Sequence, residues 1–154
     1  RLQDIQLKLA SLWSHINIAD QLQIERAMSD FHLIKNNGHK FTVHDADQLH
    51  SEAVTFIKQE IATQASTKKI VVTHHIPTFI NYPEKFKGDI LSQAFATEYA
   101  GLIESSGIHT WIYGHHHYNT PEFHIGHTQL LTNQLGYVKH GEHTTFDPSA
   151  KIRL

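Results

Sequence analysis

The spacing of hydrophobic positions predicts a chain that mixes helices and short strands. Residues 1–12 carry leucine and isoleucine at helical spacing, which predicts a first helix, and residues 19–29 predict a second. Residues 31–35 alternate between apolar and polar like a strand. Together with the turn signal "NNG" at 36–38, this stretch predicts a small hairpin.

The clearest helix is predicted to begin after Thr42. Thr42 and Asp45 match a capping box, in which a hydroxyl and a carboxylate bond the free N–H groups of the first turn. Apolar residues then recur at helical spacing until the predicted end near Gln64, which indicates one buried face. The residues of this face are Ala46, Leu49, Ala53, Phe56, Ile57 and Ile61.

Two short, nearly continuous apolar runs, 68–73 and 108–113, predict buried strands of the kind found inside a sheet. A helix over 90–105, ended by Gly107, is predicted between them. The sequence from 122 to 133 then predicts a hairpin through Gly126. The order of strand, helix, strand and hairpin is typical of an α/β layered domain, and we expect one domain over residues 1–154.

Histidines follow the carboxyl end of each predicted buried strand. His74 and His75 come directly after the first, and the run His115, His116 and His117 follows the second after one glycine. If both strands lie parallel in one sheet, the two groups emerge at the same edge, where open α/β sheets bind ligands. In an extended backbone, the side chains of His115 and His117 would reach the same side, and Gly114 would allow a sharp turn.

Composition narrows the chemistry. The chain has 15 histidines and no cysteine, so a metal would be held by nitrogen and oxygen ligands. A formal charge of −2 and a pI near 6.8 give no sign of a nucleic-acid-binding patch or a membrane-surface helix. With no apolar run long enough to span a bilayer and no secretory signal, we expect a cytoplasmic location.

Plainer interpretations also exist for these residues. The triple histidine could be an expression tag or a structural loop, although it is internal and lies between a strand and a hairpin. Trp111 is expected to pack in the core. Six further histidines are expected to be solvated at the surface, namely His32, His39, His44, His50, His140 and His143.

The segments "VVTHHIPT", "WIYGHHHYNT" and "TQLLTNQLGYV" together resemble the C-terminal half of a bacterial-type calcineurin-like metallophosphoesterase. The stretch around "DFHLIK" and "KFTVHDADQLH" is also similar to the segment that precedes these motifs, so the resemblance covers roughly residues 30–138. It implies an α/β/β/α sandwich with a mixed sheet and flanking helices. It also implies a hydrolase that uses two divalent metal ions and metal-activated water on phosphate mono- or diesters.

The resemblance implies roles for single residues as well. His74 and His115 correspond to ligands of one metal and His117 to a ligand of the other, while manganese, iron, zinc and nickel remain open. His75 and His116 correspond to variable positions and are expected to support the ligands or face the substrate. Asn133, Gly136 and Tyr137 match the family's "N…GY" close, which implies a role in the site wall.

Three motifs of the family have no credible counterpart in the 154 residues: D-x-H, G-D-x-x-D and G-N-H-D/E. Asp30 and His32 fit D-x-H in form, but neither of the other motifs follows them. We therefore expect this chain to supply the histidine half of a site and to be inactive by itself. The alternative is a non-catalytic metal-binding or interaction module that keeps the histidine ligands.

A chain that supplies mainly one sheet of a sandwich would leave an apolar sheet face open. We therefore expect either self-association or an N-terminal half that covers this face.

Overall fold

The computed structural model describes residues 5–63 and 68–152. Among these residues, five strands form one mixed sheet: β1 (Ile5–Ala10), β4 (Lys68–Thr73), β5 (Thr110–Ile112), β7 (Thr128–Leu131) and β6 (Phe123–Ile125), in that spatial order. β1, β4, β5 and β7 run parallel, and β6 pairs antiparallel with β7. The predicted α/β class is confirmed, as are the two buried strands and the hairpin through Gly126.

Helices α3 (Val43–Ala62) and α4 (Ala100–Ser105) cover one face of the sheet. Val54 and Ile57 of α3 and Ile103 of α4 join a core whose centre is Trp111, which is fully buried as expected. On the same face, the ammonium group of Lys69 donates to the carbonyl oxygens of Ile61 and Thr63 at the end of α3, both at 2.6 Å. These bonds fix the long helix against the strand that leads to the histidines.

A second, smaller core lies beyond the carboxyl ends of the strands. Here α1 (Gln21–Ala27), α2 (Asp30–Leu33) and the two-residue strands β2 (Lys35–Asn36) and β3 (His39–Lys40) fold around buried Ile24, Phe31 and Phe41. This layer covers the carboxyl ends of the strands, which the histidines follow. Within the described residues, no helix is both long and apolar enough to cross a membrane.

Three predicted elements are wrong in part. The first predicted helix is strand β1 over its described part. Apolar residues at 5, 7 and 9 also fit a period of two, and pairing with β4 along the whole strand decides the outcome. Residues 31–33 belong to α2, so the hairpin is shorter than predicted, although its turn does form at Asn37 and Gly38, both with positive φ.

The predicted helix over 90–105 is the third correction. It is divided into a 3₁₀ turn at Ile90–Ala94 and the short helix α4. The residues between them bond the backbone after β4 instead: the Ile76 N–H donates to the Phe95 carbonyl, and the Thr97 N–H donates to the Ile76 carbonyl. This pairing holds the Phe95 ring against the ring of His115.

The predicted capping box of α3 is confirmed. The Asp45 N–H donates to the Thr42 hydroxyl oxygen at 3.2 Å, and the Thr42 N–H donates to the Asp45 carboxylate at 2.8 Å. The buried face differs from the prediction, because Leu49 and Phe56 are more than a third exposed while His50 is only 4% exposed. The expectation that His50 lies at the surface is therefore wrong.

Replacing the cap residue should destabilise the fold. We expect Thr42→Ala to lower the free energy of unfolding by about 1 kcal/mol, because the Asp45 N–H in the first turn loses its acceptor, the Thr42 hydroxyl oxygen. Chemical denaturation followed by circular dichroism measures this change. Thr55→Ala is the matched control, since the Thr55 hydroxyl only donates to the Ser51 carbonyl within the same helix. Equal effects of the two substitutions would contradict the capping role.

Candidate metal centre

The histidines meet because β4 and β5 are adjacent parallel strands that end at the same edge. Beyond the strands, the Gly114 N–H donates to the His74 carbonyl at 3.1 Å, which extends the pairing by one step. A β-carbon on Gly114 would lie 3.5 Å from that carbonyl, an ordinary contact. The approach of the two backbones therefore places His74 and His115 side by side.

Three imidazoles form a compact cluster at this edge. His74, His75 and His115 each offer one nitrogen, and these three nitrogens lie within 4.8 Å of one another. His74 Nε2 and His115 Nδ1 are 2.9 Å apart, and the ring centres of His75 and His115 are 4.1 Å apart. Three nitrogens this close together could hold one small ion. His75, expected only to support the ligands or face substrate, is a member of the cluster.

The environment keeps these rings neutral. Burial lowers the pKa of His75 to about 2 and that of His115 to about 3, and neighbouring imidazoles lower both further. Burial also lowers the pKa of His74; the charge of His117 acts in the same direction and that of Asp30 opposes it. A neutral imidazole has a free lone pair, which is the form that binds a metal.

His115 and His117 point in different directions. Both side chains were expected on the same side only if this stretch were extended. It is not extended, because His115 and His117 have left-handed backbones with φ of 77° and 54°. The sharp turn is thus made by the two histidines rather than by Gly114. His115 faces His74, whereas His117 Nδ1 lies 3.0 Å from a carboxylate oxygen of Glu142.

His116 lies in the wall between them and is only 9% exposed. The side-chain amide of Gln134 donates to its Nδ1 at 3.0 Å, and burial lowers the pKa of this ring to about 4. His116 therefore presents a neutral ring to the space beside the cluster.

Of the three residues of the "N…GY" segment, Tyr137 lines the cavity beside the cluster. Tyr137 packs edge-on against His117 with ring centres 4.6 Å apart. Gly136 has φ of 61°, and a β-carbon there would lie 2.6 Å from Glu142 and 3.2 Å from His117. Asn133 exchanges two hydrogen bonds with the backbone of Asp147, which fixes the segment that follows.

A cavity of about 580 Å³ lies beside the cluster, and Tyr137 forms part of its wall. His74, His115, His116 and His117 lie along it, together with carboxylates that the sequence did not assign to the site: Asp30, Asp89 and Glu142. Asp89 accepts the Leu91 N–H at 2.9 Å, and Glu142 bonds His117, so both are engaged. Asp30 lies close enough to His74 for its charge to raise the pKa of that ring, and its place in "DFH" was the available signal.

Ser14 contacts His75 at the ring nitrogen Nδ1. The Ser14 hydroxyl is 2.9 Å from His75 Nδ1, and both residues are buried. Ser14 follows a turn in which Leu12 and Trp13 have positive φ, 67° and 30°. Such backbones cost on the order of 1–3 kcal/mol each in bulky residues and persist only where surrounding contacts hold them.

Gly136→Ala should disturb His117 specifically. The new methyl group would displace Glu142 from His117 Nδ1, which we expect to change the nitrogen chemical shifts of the His117 ring. Gly141→Ala is the control, because Gly141 also has a positive φ, 73°, but its added carbon would meet nothing within 4 Å. Both variants carry the same backbone strain. If Gly141→Ala changed the His117 signals as strongly, steric displacement of Glu142 would be refuted.

Comparison with known proteins gives a limited result. No protein-family profile matches the chain, and no solved structure matches it. Over 164 aligned residues, the chain is 31% identical to the uncharacterized protein L509 of Acanthamoeba polyphaga mimivirus. The alignment covers 99% of this chain and 57% of that protein, so the chain spans a little over half the length of its viral relative.

Proposed function

We propose that this chain supplies the histidine part of a divalent-metal centre that hydrolyses phosphate esters. The observation that carries the proposal is the convergence of three neutral imidazole nitrogens within 4.8 Å at the carboxyl ends of the parallel strands β4 and β5. The resemblance to calcineurin-like metallophosphoesterases rests on His74, His115 and His117. It shares His74 and His115 with this trio and supports the reaction class.

The donor set fits a metal ion. Catalytic zinc sites commonly use three protein ligands and leave one position for water or substrate. His74, His75 and His115 would provide three nitrogens, and the buried surroundings favour their neutral form. His117 lies outside this trio, beside Glu142, and stays our candidate for the ligand of a second ion.

The remaining wall residues suit a phosphate ester. A divalent ion at the cluster would neutralise phosphate charge and lower the pKa of a bound water. The cavity of about 580 Å³ has room for an ester larger than phosphate itself. His116 presents a neutral ring there, and Lys85, whose charge lowers the pKa of His116, offers a cation near the same wall.

The open face of the sheet supports a larger, two-sheet assembly. In the register of β1 with β4, Leu7 pairs with Ile70 and Leu9 pairs with Val72. These aliphatic side chains therefore share the sheet face opposite α3 and α4. Leu7 and Leu9 are 54% and 64% exposed, whereas Ile70 is only 5% exposed, so the open part of this face is at strand β1. Burying such a face normally requires another layer. We propose that the additional sequence seen in the longer viral relative provides this layer, and with it the carboxylate ligands of the metallophosphoesterase sandwich.

Metal binding is the first test of this function. Titration with Zn²⁺ or Co²⁺, followed by calorimetry, should show one site. His115→Gln should weaken it at least 100-fold, because loss of a ligand costs no less than the 10- to 100-fold typical for the groups that support ligands. His44→Gln, at an exposed position of α3, is the control and should bind like the unmodified chain. Equal affinity of the two variants would refute the cluster as the metal site.

Activity separates the enzyme from a binding module. We expect the chain alone to leave bis-p-nitrophenyl phosphate intact in manganese, nickel or zinc. Addition of the separately produced part of the longer relative that the alignment leaves uncovered should give turnover, and His115→Gln should abolish it. Tight metal binding without restored turnover would favour the non-catalytic module. Robust turnover by the chain alone would contradict the need for further ligands.

The open sheet face predicts concentration-dependent self-association of the isolated chain. The double variant Leu7→Lys/Leu9→Lys should shift sedimentation toward the monomer, because charges on both sides of the contact oppose burial. Leu22→Lys/Leu33→Lys is the matched control, since these leucines are 63% and 78% exposed on α1 and α2. A wild-type chain that stays monomeric at all concentrations would count against this surface.

A further inference from the structure

His50 is a buried histidine in the middle of α3, outside the cluster. It is 4% exposed, and both of its ring nitrogens have partners. Nδ1 lies 2.8 Å from the Leu12 carbonyl and 3.0 Å from the Trp13 carbonyl, and Nε2 lies 2.7 Å from the Tyr99 hydroxyl. A helix residue that served only to fill the core would not need three polar contacts.

The carbonyl partners determine the proton position at Nδ1 of His50. Carbonyl oxygens can only accept, so Nδ1 must carry the hydrogen and donate to Leu12 and Trp13. Nε2 bonds the Tyr99 hydroxyl, which can donate or accept. His50 is thus a connector whose orientation is fixed at both ring nitrogens.

The two carbonyls that His50 holds belong to the strained turn before Ser14. Leu12 and Trp13 both have positive φ, and Trp13 also packs on the His75 ring with ring centres 5.1 Å apart. The turn directs the Ser14 hydroxyl to His75 Nδ1 at 2.9 Å. A continuous path of hydrogen bonds and one turn therefore joins α3 to the metal cluster.

We propose that His50 is a positioning residue for the metal cluster, acting through the Leu12–Trp13 turn and Ser14 on His75. In this proposal, the Ser14 hydroxyl oxygen accepts the Nδ1 hydrogen of His75, which would leave the Nε2 lone pair for a metal. Ligating histidines generally donate their second ring nitrogen to such a partner, which sets the tautomer and the ring orientation. This proposal rests on the metal site proposed above.

The test compares variants of His50 and Ser14 in the whole chain, with Co²⁺ as the probe. His50→Leu removes the donor to the turn, and Ser14→Ala removes the acceptor at His75. Each should weaken Co²⁺ binding by 10- to 100-fold and change the visible spectrum of the bound ion. Because His50 and Ser14 act on one path, the double variant should bind Co²⁺ with about the same affinity as the single variant that binds it less tightly. His50→Asn, which can place an amide N–H near the position of Nδ1, should recover much of the affinity.

The tautomer of His75 provides a second measurement that needs no metal. In nitrogen NMR of the unliganded chain, His75 should carry its hydrogen on Nδ1, and His50→Leu should populate the opposite tautomer. His44→Leu, on the exposed side of the same helix, should change neither spectrum nor affinity.

Two results would overturn the role of His50. One is unchanged Co²⁺ affinity in His50→Leu despite lower stability, and the other is a wild-type His75 with its hydrogen on Nε2. If the wild-type chain bound no metal, the proposed function would fail, while the NMR comparison would still decide whether His50 sets the tautomer of His75.

Discussion

The parallel pairing of β4 with β5 is the constraint on which the candidate site depends. Val71 lies beside Trp111 in register, and the two strands end level, so the residues that follow them meet without any long excursion of the backbone. The hydrogen bond from Gly114 to the His74 carbonyl continues this pairing into the loops. Histidines 41 positions apart in the chain thereby come within 2.9 Å, and the buried strands that place them also exclude the water that would favour their charged forms.

The helical layer has a second role beyond covering the sheet. α3 contributes Val54 and Ile57 to the core, and through His50 it also contacts the turn that carries Ser14. The same helix thus stabilises the fold and supports one side of the histidine cluster. A substitution in α3 can therefore affect the surroundings of His75 without touching it, because His50 and Ser14 lie at the two ends of the same turn.

Hydrophobic periodicity and the residues at strand ends predicted several elements of the fold. The sequence did not predict the directions of the site's side chains. The strands at 68–73 and 110–112 were predictable because their apolar runs are too short for helices, and the cap of α3 was predictable from Thr42 and Asp45. The separation of His115 from His117 depends on two left-handed histidine backbones, which no propensity indicates. The burial of His50 was equally hidden, since its partners are backbone carbonyls from a turn 37 and 38 residues away in the chain.

The position of β1 at the edge of the sheet also has a kinetic consequence. Its only partner in the described sheet is β4, and the residues in register, such as Leu7 and Ile70, are separated by most of the first half of the chain. Such non-local pairs form late, because a long loop must close before the contact contributes any free energy. During synthesis, Leu7 and Leu9 therefore emerge long before β4 exists to receive them. Until β4 has been made, the apolar side chains of the first strand stay exposed, as is typical of segments prone to aggregate during folding.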